Sequence, residues 1–484
     1  MSIDRSPSRR MPRAAAVAAV IGAVTVAVAL GAGCLPIGAT ATDRADDWDP
    51  QVLEVARTVE RLRGLEFRRP VEVRSLPDAR FERTLVTTDD DLSARERRDL
   101  DWAERAVRAL GLLGSDVGLL DAWNVSLGPQ TAAYYESGTD RITMRDGPLT
   151  PAVRVTLAHE LVHALQDQVF GLDRVQRRSP APLTVDAVIE GDATRTEERY
   201  LAQLPRAQRR AAIDEAEAQA DAADDVVLGL DAALVPDLVR LQQSAPYSLG
   251  PLLVEGAKSR WWGGVNGLYR RPPRSEAALV SPWMLGRAGG LGALDEQPLG
   301  AGERRIGPRE RIDAFGLYVL LASRIGPDRA LAAADRWGGD EWIVLERDGV
   351  TCSRVTVRSR TGPGVAVLAD AAERWAAAMS PGTASTSVAD RRVALTGCSD
   401  GSAAGPAPAG ADAVEEFLWW RNYLFAEIGF SQPESVARCA ADRTARDPVL
   451  VPFSSASTGA TDADVAALWA RVDVLSEECG GDVP

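Results

Sequence analysis

Only two histidines occur among the 484 residues, and they stand four apart: His159 and His163, in LAHELVHALQDQ (Leu157 to Gln168), with Glu160 directly after the first. On an α-helix, positions i and i+4 share one face a turn apart, so both imidazoles can direct a ring nitrogen at one ion ~2.0–2.1 Å away. Glu160 lies ~100° further round, outside the ligand set but within reach of a water at that ion. This is the H-E-x-x-H arrangement in which two histidines bind zinc and the glutamate serves as general base. A packed core gains little from such a pair, because buried neutral imidazoles need hydrogen-bond partners and charged ones repel.

A catalytic zinc takes three protein ligands and keeps one position open. No third histidine exists, so a carboxylate must complete the set. Asp167 is eight residues beyond His159, ~12 Å along the same axis, too far to close a compact site. A second helix has to supply the group. PLTVDAVIEGDATRTEERYLAQL (Pro182 to Leu204) has helical periodicity, and its Glu190 sits in an apolar setting where an unpaired carboxylate would be costly. Glu190 is therefore the predicted third ligand to one Zn²⁺ per chain. Asp186, Asp192 and Glu197 are the alternatives, each readable as part of a solvated helix face.

The elements that must position these groups follow from local pattern. PLTPAVRVTLAHELVHALQDQVFG (Pro148 to Gly171) reads as a helix with Thr150 as N-cap, Pro151 in the first turn and Gly171 as the stop. Before it, TAAYYESGTDRITMRDG (Thr131 to Gly147) alternates around Ser137–Asp140 and reads as a hairpin. Gln51 to Gly64 has helical spacing, Pro70 to Leu76 alternates like a short strand, and Leu92 to Leu113 is mostly helical. Arg206 to Gln243, rich in alanine and charge, reads as a solvated helical hairpin. From Arg311 onward, helical stretches alternate with strand-like runs at Glu341 to Glu346, Val355 to Arg358 and Arg392 to Thr396. The paired aromatics Trp261, Trp262, Trp419 and Trp420 read as core or domain-interface residues. The expected fold is α+β: a mainly helical core with a small mixed sheet whose edge hairpin precedes the motif helix, and a smaller C-terminal α/β region.

HELVHALQDQ followed by IEGDA resembles the gluzincin metallopeptidases, and more closely a group of bacterial exported gluzincin-like proteins. The segments Arg63 to Val73, Ala133 to Met144, Ala245 to Ser275 and Ala333 to Trp342 extend that resemblance over roughly residues 51 to 380. It implies a zincin-like core that hydrolyses peptide bonds through a metal-activated water, with Glu160 passing the proton to the leaving amine. It also implies that the strand before the motif helix is a sheet edge, so that Tyr134 to Met144 would hold a peptide substrate as an added strand. Two departures stand out. Thermolysin-type gluzincins carry an aspartate four residues after the ligand glutamate to orient the first histidine; here that position is Thr194, which passes the role to Asp192 or a backbone carbonyl. The oxyanion donor cannot be a histidine, which nominates Tyr247, with Tyr200 behind it. A protein that keeps this fold and cleaves nothing, as an envelope binding or chaperone-like lipoprotein, is the alternative; it has no need for Glu160.

The N-terminus places this chemistry outside the cytoplasm. Arg5, Arg9, Arg10 and Arg13 precede an uncharged run from Ala14 to Gly33 that ends in Ala-Gly-Cys at Cys34, a layout similar to a lipoprotein signal with Cys34 as the lipidated residue. Gly31 stands where such signals usually carry Leu, and the run is long, so an uncleaved membrane anchor is the other reading. Residues 1–34 are thus export segment or anchor and 35–50 a tether, followed by a metallopeptidase domain over 51–300, an α/β appendage over 305–400, a linker over 401–413 and a helical segment over 414–484. Four further cysteines, an even number, suit disulfides in that compartment, with Cys352 pairing Cys398 and Cys439 pairing Cys479 as sequence neighbours. A net charge of −14, with Lys258 the only lysine, excludes nucleic acid as a partner.

Overall fold

The computed structural model describes residues 48–114, 116–127, 131–229, 237–260, 264–287, 294–399, 410–454 and 459–481. Cys34 and the export segment, Trp261 and Trp262, and most of the 401–413 linker lie outside these residues.

Helix α1 (Pro50–Arg63) opens on Asp49, whose carboxylate accepts from the Gln51 and Val52 N–H groups, and closes on Gly64 in the left-handed region. After β1 (Glu72–Leu76) come α2 (Asp78–Leu85), α3 (Ala94–Ala109) and α4 (Leu119–Leu127). The hairpin forms as β2 (Ala133–Glu136) and β3 (Arg141–Arg145). Then follow the motif helix α5 (Pro151–Phe170), the short α6 (Leu172–Arg177), the long α7 (Pro182–Gln203), α8 (Arg206–Gly229), α9 (Asp237–Arg260), α10 (Asn266–Arg270) and α11 (Ala277–Val280).

The first sheet has the order β1-β3-β2, with β1 parallel and β2 antiparallel to β3. This corrects the expectation for the substrate ledge: β3, the strand entering the motif helix, is bonded on both sides. Among the described residues it is β2 that keeps a free edge next to that helix. The helix itself starts and stops as its sequence predicts. Thr150 Oγ1 accepts from the Val153 N–H, Pro151 fills the first position, and Gly171 ends it at φ 72°. Its residues from Val155 to Gln166 are all buried, as expected for a helix that is apolar around most of its circumference. It packs against α1, β2, α7 and α8 in one cluster that includes Val59, Ile142, Leu161, Leu165 and Ala193.

The helix that carries Glu190 is held by a backbone crossing. A Cβ built on Gly191 would lie 2.2 Å from the Gly250 carbonyl carbon, and one on Gly250 would lie 2.2 Å from the Ala187 oxygen. Glycine at both positions lets α7 and α9 approach at backbone distance. That contact fixes α7 against α9 immediately next to Glu190.

The second sheet is antiparallel throughout, in the order β4 (Glu303–Glu310), β5 (Trp337–Arg347), β6 (Val350–Ser359), β8 (Arg392–Cys398), β7 (Ala384–Ala389). Helices α12 (Asp313–Ile325) and α14 (Gly364–Ala377) pack on it, and α13 (Pro327–Ala334) packs against both helices. Cys352 and Cys398 face each other across β6 and β8 and are joined as a disulfide. The chain ends in α15 (Ala411–Ile428), α16 (Glu434–Thr444) and α17 (Asp462–Glu478), and Cys439–Cys479 ties α16 to the end of α17. Both expected pairings are formed. Trp420 is buried among α15–α17, and Trp419 is half-buried beside it. One apolar cluster joins Leu110, Ala187 and Leu249 to Phe315, Val355, Trp375 and Leu418, so the second sheet shares a core with the helices of the first half. The architecture is α+β with two small sheets. No helix among the described residues is long and apolar enough to cross a membrane.

Candidate metal centre

His159 and His163 project from one face of α5 with ring centroids 4.7 Å apart, and Glu190 of α7 meets them. Glu190 Oε2 lies 3.2 Å from His159 Nε2 and 3.3 Å from His163 Nε2. All three side chains are buried, and together they could hold a metal ion. Both imidazoles are oriented through the other nitrogen. His159 Nδ1 donates to Glu197 Oε2 at 2.8 Å, and His163 Nδ1 donates to Gln166 Oε1 at 3.1 Å. Gln166 is in turn fixed by donating its amide to the Ile189 carbonyl and to Asp192 Oδ2, which also takes the Tyr269 hydroxyl and pairs with Arg63.

These hydrogen bonds decide what the cluster can bind. With each Nδ1 turned to its own acceptor, both Nε2 atoms face a Glu190 oxygen, and positive charge between them comes from protons on the imidazoles or from a bound cation that replaces those protons. A tetrahedral ion with bonds of ~2.0–2.1 Å sets its ligand atoms roughly 3.3 Å apart, which is the spacing from Glu190 to each histidine. The donors present therefore fit a metal ion.

Electrostatics agree with that geometry. Burial opposes charge on His159, but its hydrogen bonds to Glu190 and Glu197 outweigh it and raise the imidazole well above its ordinary range. His163 is raised in the same way, burial being overcome mainly by Glu190. Burial works against Glu190 too, yet the two histidines hold its carboxyl down to about 2. The site is thus built for a carboxylate that stays ionised and a positive charge beside it. Glu160 differs: burial pushes its carboxyl up, and Glu160 Oε2 has no hydrogen-bond partner. The backbone of Tyr135 in β2 lies near this carboxylate and works against the rise, which sets Glu160 beside the strand that keeps the free edge.

The other residues singled out in the sequence fall as follows. Tyr247 of α9 is buried with its ring 6.5 Å from that of His159, whereas Tyr200 lies toward Arg154, near the start of α5, and Glu54 of α1. Asp167 accepts from the Tyr135 hydroxyl and from the Gly138 and Leu172 N–H groups, tying the hairpin turn to the end of α5. Asp192 and Glu197 are both buried, which corrects their reading as solvated helix face. Glu197, not Asp192, orients His159; Asp192 supports His163 through Gln166. The part played by Glu197 was signalled by its spacing of seven from Glu190, two turns along the same face of α7. Thr194, at the position of the expected aspartate, leaves its buried hydroxyl without a partner.

Comparison with protein-family models, with curated proteins and with solved structures finds no match, so the reading of this centre rests on its own geometry.

Proposed function

We propose that this protein is a zinc-dependent peptidase of gluzincin type, held at the outer face of the cell envelope through its N-terminus. The observation that carries the reading is the placement of Glu160. A group that only stores a metal needs His159, His163 and Glu190; it has no use for a further buried carboxylate with a free oxygen beside a strand edge.

His159, His163 and Glu190 would hold the ion. When bound, zinc supplies Lewis acidity, which makes water a nucleophile at neutral pH and polarises a carbonyl group. The chain's own groups do the remainder. Glu160 accepts the proton of the attacking water and returns it to the departing amine nitrogen; the burial that raises its carboxyl favours holding that proton in between. Tyr247, whose ring stacks toward His159, would donate to the oxyanion that develops on the carbonyl. An extended peptide added along β2 would run past Glu160, with backbone groups of Ala133 to Glu136 as its partners. Two disulfides fit an oxidising, extracytoplasmic compartment. Attachment there would use a lipid on Cys34 or the apolar run before it.

The test is metal analysis of the purified protein together with a peptide-library cleavage assay on wild type and Glu160→Gln. Equimolar zinc in both proteins, and cleavage only in wild type, is the expected result. Absence of zinc would remove site and mechanism together. Zinc without Glu160-dependent cleavage would leave an envelope binding protein. Loss of lipid labelling in Cys34→Ala separates lipidation from an anchor helix.

A further inference from the structure

Next to Glu190 and Tyr247 the structure contains a cavity of about 310 Å³. It opens on the face of α7 that carries Leu183, Asp186 and Glu190, and its volume is that of a site for a small ligand or one side chain. Most of its wall is apolar, from Leu110, Leu183 and Leu238 to Phe315 and Val319, with the indoles of Trp123 and Trp342 among them.

The charges in this wall are unbalanced. Arg311 is the one base in the lining, and it is already committed: its guanidinium pairs with Asp313 and lies 3.8 Å from Asp340, two carboxylates behind the wall. Glu276 adds a third acid to the same base. Asp186, on the opposite helix, accepts a hydrogen bond from the neutral Gln176 amide at 2.9 Å and forms no ion pair among the described residues. The lining also holds three buried donor atoms with no acceptor, Trp123 Nε1, Gln243 Nε2 and Arg311 Nε. Leaving such groups desolvated costs about 1–3 kcal/mol each, which a carbonyl of an incoming chain would recover.

We infer that this cavity binds the side chain of a substrate residue beside the scissile bond and selects a long cationic one, arginine or lysine. The aliphatic stem lies against the leucine and phenylalanine wall, and the head is met by Asp186, with Glu276 as the second acid and the two indole faces as further cation-attracting surface. In the empty cavity, burial pushes Asp186 up to about 7 and Glu276 up to about 8, so arrival of a cation also releases protons to solvent. The inference rests on the peptidase reading for the word substrate, but the binding itself does not need turnover.

The experiment therefore uses the full-length Glu160→Gln protein and titration calorimetry with Nα-acetyl-arginine amide, Nα-acetyl-leucine amide and Nα-acetyl-glutamine amide. The arginine probe should bind ~10- to 100-fold more tightly than either neutral one, the range expected for a hydrogen bond to a charged group. Asp186→Asn should remove most of that preference, and Glu276→Gln, as an independent variant, should weaken it in the same direction. Thermal unfolding of each variant checks that the fold is intact. Equal or tighter binding of the leucine or glutamine probe overturns the inference, as does undiminished arginine preference in both folded variants. Asp186-dependent arginine binding by a protein that cleaves no peptide keeps the cavity and discards the peptidase; cleavage without a preference for basic residues does the reverse.

Discussion

His159 Nδ1 sits 2.8 Å from Glu197 Oε2, and Glu197 lies seven residues beyond Glu190 on the same face of α7. One helix thus supplies both the carboxylate of the His159–His163–Glu190 group and the carboxylate that turns a histidine toward it. Glu197→Gln keeps the size of the side chain but removes the charge that makes the imidazole a better donor. Metal affinity should fall ~10- to 100-fold, as for other groups that orient a metal-binding histidine. Competition with a fluorescent chelator measures it, and unchanged affinity would reduce Glu197 to a packing residue.

The crossing of α7 and α9 makes a second prediction. In Gly191→Ala the new methyl would meet the Gly250 carbonyl, which is backbone and cannot rotate away. The helices must separate, at a cost of about 1–3 kcal/mol or more, and Glu190 moves with α7. Urea unfolding and metal titration on the same variant should both deteriorate. A stable variant with weakened metal binding would place the effect at the site alone, whereas no change in either would contradict the backbone contact.

The motif helix was legible in the sequence because its signals are local: Thr150, Pro151 and Gly171 mark its ends, and two histidines four apart mark its polar face. Glu190 was legible from its apolar neighbours. What escaped was pairing over distance. Strand order depends on a parallel partner 69 residues earlier, Glu72 opposite Arg141, and no hairpin pattern reveals that the β1 strand covers β3. Asp192 and Glu197 were misread as surface because charge on an amphipathic pattern normally faces water. Here Arg63, Tyr269 and His159 compensate the two acids inside, and those partners come from three separate elements.

The disulfides make unequal contributions. Cys352–Cys398 links residues already opposed in a ladder, so β6 and β8 should stay paired without it. Cys439–Cys479 closes a segment with a sequence separation of 40 around α16 and α17, helices that otherwise rest on a small cluster about Trp420 and Leu424. Its removal should cost about 4 kcal/mol on loop-closure grounds. In Cys439→Ser/Cys479→Ser, hydrogen exchange should accelerate across α15–α17 while α5 stays protected. Uniform loss of protection would mean that the C-terminal helices unfold together with the metal centre.

Glu276 gives stability a definite dependence on pH. The residue is not wholly buried, yet desolvation, with Asp313 and Asp340 nearby, raises its carboxyl to about 8, while the Leu183 N–H and Arg311 pull the other way. In the unfolded chain the same group loses its proton near pH ~4.3. Between these values the folded protein holds a proton that the unfolded chain has released, so stability falls as pH rises, by at most about 1.4 kcal/mol per pH unit for this one group. Below pH ~4 both states are protonated and the slope from this residue vanishes. Glu276→Gln cannot ionise and keeps an oxygen for the Leu183 N–H. Denaturant midpoints measured from pH 5 to 8 should therefore decline less steeply in the variant, with its advantage over wild type growing toward pH 8. Parallel curves for the two proteins would show that Glu276 is already ionised in the fold, and that Arg311 compensates it more fully than its two acidic neighbours allow.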